Sequence, residues 1–90
     1  MNMESKNTVF VGGKPTAVYV TAAVVISKNY DEVFFVARGK KMLKAIDACF
    51  MAKRNFLKEW TIKSTEVLES PYEINGNSRY VSSIKLVLIK

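Results

Sequence analysis

Apolar and polar positions follow two different periods along this chain, and each period predicts an element. "TVFVG", Thr8 to Gly12, is short and rich in β-forming residues and reads as a strand. It stops at Gly12-Gly13, a pair suited to a tight turn or a close backbone approach. Pro15 suits a first helical turn, where its missing N–H costs nothing. "PTAVYVTAAVVISK" then reads as a helix ending near Asn29, although its β-branched residues would also suit a strand. It is apolar nearly all round, which predicts cover on more than one side. Asn29-Tyr30-Asp31 is a turn, and "EVFFVA", Glu32 to Ala37, reads as a buried strand.

Gly39 opens a second helix that runs to about Leu57. At helical spacing Ala45, Phe56, Cys49, Met42, Ile46, Leu57, Phe50 and Leu43 share one broad apolar arc. Lys40, Lys41, Lys44, Asp47, Arg54 and Asn55 take the other arc. Lys53 falls among the apolar residues, as a cation snorkelling near a helix end would. "WTIKSTEVLES" and "RYVSSIKLVLIK" read as two long strands, with the hairpin signal Asn75-Gly76 in the "PYEINGNS" between them. The last strand carries Ile84, Leu86 and Leu88 on one face and Val81, Val87 and Ile89 on the other. Helices would cover one face and a second subunit the other. The expected fold class is therefore α+β, a β-α-β-α-β-β two-layer sandwich with a projecting C-terminal hairpin. A chain of 90 residues makes one domain, with residues 1–6 expected as a flexible tail.

Charge sharpens the picture. The net charge is +6. Arg38, Lys40, Lys41, Lys44, Lys53, Arg54 and Lys58 stand against Asp47 alone, so the segment from Arg38 to Lys58 holds all of it. Like charges that close repel, and an external polyanion would compensate them. Catalysis has little to work with. There is no histidine to serve as a base near neutral pH, and Cys49 sits on the apolar arc, where a thiol is inert. Asp31 and Glu32 are adjacent at a strand start and point to opposite faces. No group of residues has metal-ligand spacing, so neither a metal nor a cofactor is expected. No apolar run approaches the roughly 18 residues of a membrane span, and "MNMESKNT" lacks the apolar core of a signal peptide. A chromosome-associated protein of the cytoplasm is the expectation.

"GGKPT" is not a Walker loop: Thr8 stands where the earlier glycine belongs, and Pro15 replaces the Ser or Thr after the lysine. What remains is Lys14 on a glycine-hinged loop at a helix start, where backbone N–H groups and the helix dipole favour an anion. Spacing alone leaves an ordinary surface lysine equally open. Arg38-Gly39-Lys40 is a second strand-to-helix junction, which could bring Lys14, Arg38, Lys40, Lys41 and Lys44 to one edge. Phosphates neutralised there would give affinity without sequence reading. On the hairpin, Arg79 could enter a minor groove beside Asn75 and Asn77. Tyr72 and Tyr80 could stack on bases, though cross-strand packing is the simpler role.

"NTVFVGGKPTAVYV", "DEVFFVARGKKMLKAID", "RNFL" and "SSIKLVLIK", in that order and spacing, resemble the Alba family of archaeal chromatin proteins. The resemblance spans about Asn7 to Ile89. It implies a fold like the C-terminal domain of translation initiation factor three. It also implies a homodimer whose hairpin arms embrace double-stranded DNA, with RNA bound as well and little sequence preference. By position, Lys14 would meet the phosphate backbone, Arg38, Lys40 and Lys44 match the basic helix start, and Arg79 matches an arm arginine. Phe56, followed by Leu57, matches an aromatic through which neighbouring dimers pack on DNA. Many members carry two lysines in the first loop, the earlier one acetylated; Gly13 stands there in this chain, and Lys41 is an extra cation.

The expectation is an architectural protein that coats or compacts double-stranded DNA as a homodimer and performs no chemistry. Higher assemblies on DNA or pairing with a paralogue would extend it. The alternative is a protein acting mainly on structured RNA. A phosphate-handling enzyme using Arg38 and a purely structural oligomerisation module are the remaining rivals.

Overall fold

The structure, a computed structural model, describes residues 6–90. The tail expected at residues 1–6 therefore lies outside the described residues, apart from Lys6. The elements are β1 (Thr8–Phe10), α1 (Thr16–Ser27), β2 (Glu32–Arg38), α2 (Met42–Asn55), β3 (Thr61–Ile74) and β4 (Asn77–Ile89). A single 3₁₀ turn, Gly39–Lys41, leads into α2. This is the β-α-β-α-β-β order read from the sequence.

The four strands form one sheet in the order β1-β2-β4-β3. β1 runs parallel to β2, with Phe10 opposite Val36, and the pairing continues through a 2.8 Å bond from the Val11 N–H to the Val36 carbonyl. At the start of β1, the Asn7 side-chain amide donates to the Glu32 carbonyl at 2.9 Å, so this buried polar residue is satisfied. β4 runs antiparallel to both β2 and β3. Both helices lie on one face. Val9, Val33, Phe35, Ala37, Ile84, Leu86 and Leu88 point from the sheet into a core closed by Tyr19, Val20 and Ala23 of α1 and Ala45, Ala48, Cys49 and Ala52 of α2. The small residues of α2 let it approach the sheet closely, and Phe35, fully buried, fills the centre.

Several expectations are corrected. β1 ends at Phe10, not Gly12. The hairpin strands are longer than read: Pro71 to Ile74 belong to β3, and only Asn75 and Gly76 form the turn. Proline is tolerated there because β3 is an edge strand. Asn75 and Gly76 have φ of 52° and 80°, the left-handed pair that a two-residue hairpin turn requires. On α2, Leu43, Phe50 and Phe56 were placed on the apolar arc, but they are exposed. The buried stripe is the narrower one of Ala45, Ala48, Cys49 and Ala52, and the helix ends at Asn55, which leaves Phe56 and Leu57 off its surface pattern. α1 is covered on one side only, by α2 and the sheet, with Val18 and Val25 exposed.

Phe35→Ala should cost about 3–5 kcal/mol, because the site is enclosed by both layers. Urea unfolding followed by far-UV circular dichroism would show the midpoint fall with the slope unchanged.

Candidate nucleic-acid interface

Parallel pairing of β1 and β2 sends both strands out of the sheet at the same edge. The loop carrying Lys14 therefore leaves beside the junction carrying Arg38. At that junction Gly39 has φ 55°, a left-handed turn that bends the chain from strand into helix. Lys40 and Lys41 occupy the 3₁₀ turn, and Lys44 lies in the first turn of α2. The sharp bend lets four cations leave a strand end and a helix start together.

Lys14 and Lys44 are joined directly: the Lys44 Nζ donates to the Lys14 carbonyl at 2.8 Å. The same loop is held from inside by Tyr19, one turn into α1. Its hydroxyl oxygen accepts from the Gly12 N–H at 2.9 Å and from the Lys14 N–H at 3.0 Å. The backbone N–H groups expected to meet an anion are thus occupied at Gly12 and Lys14, which leaves the cationic side chains as the phosphate donors of the loop. Sequence reasoning passed over Tyr19 as one more residue of an apolar helix. The signal was there: a hydroxyl five residues beyond Lys14, on the turn nearest the loop.

Neither helix start carries compensating charge. α1 and α2 both lack an acidic residue in the first turn and a side-chain cap. Positive helix ends beside lysines are unfavourable without an anion, since the dipole and the ammonium groups repel. Arg38, Lys40 and Lys41 are exposed, and Lys44 is half-buried.

The β3–β4 hairpin leaves the body at this same edge. Arg38, the last residue of β2, pairs with Ser83, and β4 continues away from it towards the tip. Arg79 lies four residues further out, roughly 13 Å at strand rise. It stands opposite Tyr72, on the sheet face that also holds Arg38. Glu69 and Glu73 lie on the other face of the ribbon. Beyond Leu68, the Arg79 face carries no carboxylate. Tyr80, 67% exposed, lies with the carboxylates, so it shares no face with Tyr72.

The remaining predicted residues separate from this edge. Phe56 follows the other end of α2 and is 61% exposed, whereas Leu57 beside it belongs to the core. The sheet face away from the helices is apolar without cover: Phe10, Phe34, Val36 and Val87 lie on it, with the Lys85 Nζ 4.5 Å from the centre of the Phe34 ring. Phe10 is 64% exposed.

Nothing among the described residues offers catalytic machinery. No group of three His, Cys, Asp or Glu residues could hold a metal among them. Burial pushes the Cys49 thiol up to about 11. Protonated thiol is the form that folding favours, so this contribution to stability is complete below about pH 8.5 and is lost as pH rises towards 11. At pH 8, dithionitrobenzoate should therefore label Cys49 only after denaturant is added. No described helix is long and apolar enough to cross a membrane.

Known proteins share this whole layout. A sequence profile of the Alba family matches residues 7–70. DNA/RNA-binding protein Alba of Methanoculleus marisnigri is 38% identical, covering 96% of each chain. DNA/RNA-binding protein Alba 1 of Archaeoglobus fulgidus is 29% identical across 96% of this chain and 98% of its own length. The solved structure of Alba from Thermoplasma volcanium superposes with a TM-score of 0.85 at 30% identity, covering 93% of this chain and all of that one. The same architecture reaches ALBA1 from Trypanosoma brucei, with a TM-score of 0.67 at 22% identity. With a profile match over most of its length and relatives alike from end to end, this chain belongs to the Alba family.

Proposed function

We propose that this chain is an architectural nucleic-acid-binding protein that grips the phosphate backbone of double-stranded DNA with little sequence preference. One observation carries the reading: two helix starts without acids or side-chain caps meet Lys14, Arg38, Lys40, Lys41 and Lys44 at one edge of the sheet. Phosphates supply the missing negative charge, and the counterions they release drive binding. The hairpin extends the contact, with Arg79 on the face that continues from Arg38. RNA is the second ligand, because the relatives named above are DNA/RNA-binding proteins and phosphate contacts alone do not separate the two. A role without chemistry follows from the same edge, which holds cations and no titrating base near pH 7.

The working unit is a homodimer. A chain of this size buries a thin core, and the apolar sheet face of Phe10, Phe34, Val36 and Val87 needs cover that no described helix supplies. Phe56, exposed at the far end of α2, is the contact through which dimers assemble along DNA, and pairing with a paralogue would use the same sheet face. Leu57, being buried, supports Phe56 rather than meeting a neighbour. The place of action is the nucleoid.

The log of affinity for duplex DNA should fall linearly with log salt. Lys14→Ala and Arg38→Ala should each weaken binding on all sequences alike and flatten the slope by roughly 0.9. Fluorescence anisotropy over a salt series measures both, and a slope that either variant leaves unchanged removes that residue from the interface. Phe10→Asp should convert a dimer to a monomer in sedimentation velocity. A variant that stays dimeric moves the seam elsewhere.

A further inference from the structure

We propose that Tyr19 is a positioning residue for the interface: its hydroxyl staples the Gly12–Lys14 loop into the shape that aims the Lys14 side chain at phosphate. The inference rests on the reading of that loop as a phosphate contact and adds a residue that touches no ligand.

The geometry carries it. The loop between β1 and α1 is short, glycine-rich and at the surface, and such a segment left alone samples many shapes. Here one oxygen gathers two of its amides, at 2.9 and 3.0 Å. A phenol oxygen accepts through its lone pairs, and both are engaged. The ring that carries it is buried between the helices and the sheet, with only 7% of the residue exposed, so the staple is anchored in the core. The 2.8 Å bond from Lys44 to the Lys14 carbonyl closes the loop from the outside. Ordering Lys14 before binding removes an entropic cost that phosphate would otherwise have to offset.

The hydroxyl also reports on the staple. Burial raises its pKa, but the Lys14 and Gly12 amides and the charges of Lys44 on α2 and Lys14 on the loop outweigh that and set it below the ordinary 10. Those two ammonium groups are the charges that act on it. Losing the proton places a negative charge inside the cation patch, so binding should weaken as Tyr19 ionises.

The experiment uses Tyr19→Phe, which keeps the buried ring and deletes the acceptor. Without nucleic acid, amide hydrogen exchange by NMR should show Gly12 and Lys14 losing protection by about fivefold or more, with core amides such as Phe35 unchanged. Affinity for duplex DNA should fall by about three- to tenfold. In a Lys14→Ala background the same change should add less than about twofold, since a positioning residue has nothing left to position. Between pH 8 and 10 the unaltered protein should lose affinity faster than Tyr19→Phe. In the unaltered protein, the Gly12 and Lys14 amide resonances should follow the ionisation of Tyr19, which tests the staple even if the variant folds poorly. Unchanged amide exchange, or additive losses with Lys14→Ala, would overturn the proposal. If neither protein bound DNA while the amides still lost protection, the staple would stand and the phosphate reading would fall.

Discussion

Because Thr8, Val9 and Phe10 pair in parallel with Phe34, Phe35 and Val36, both strands release the chain at one edge of the sheet. An antiparallel pairing would have put the Lys14 loop and the Arg38 junction at opposite ends of the molecule. The crossover helix that parallel strands demand is α1, and its first turn supplies Tyr19 to the loop that precedes it. The same edge is where β4 runs past the end of β2, so the hairpin departs beside the cations. One backbone decision thus gathers two turns, a helix start and an arm.

That gathering works against the fold. Cations are brought together at two helix starts with no acid in either first turn, where the dipoles already favour negative charge. The opposing stabilisation comes from the other side of the sheet layer, where Phe35, Leu86, Leu88 and the small residues of α2 interlock. Only two polar ties act at the edge itself, the Tyr19 hydroxyl and the Lys44 ammonium, and both go to backbone atoms rather than to carboxylates. Neutral acceptors hold the loop without cancelling its charge. A carboxylate in either place would have fixed the geometry and removed the reason for it.

Much of this was legible in the residues. Strands β2 and β4 declared themselves by strict alternation, because one face of each is buried and the other is not. The local concentration of charge in Arg38 to Lys58 pointed to the junction before any coordinates did. What escaped had physical reasons. A helical arc marks every apolar residue within reach of the core, but the alanines of α2 bring the sheet so close that Leu43 and Phe50 are pushed outside. Propensity stopped β3 at Pro71, whereas pairing across to Tyr80 carries the ribbon on to Ile74. Tyr19 was invisible because a hydrogen bond from side chain to loop leaves no periodic trace.

The long hairpin has no helix over it beyond the body, and it is tethered at one end only. A two-stranded ribbon twists and flexes far more readily than a sheet backed by a packed layer. Such an arm does not impose a fixed aperture on what lies beneath it. It conforms to helical surfaces of different groove width, wide and narrow alike, so compliance at the tip and rigidity at the root make one small scaffold a caliper rather than a mould.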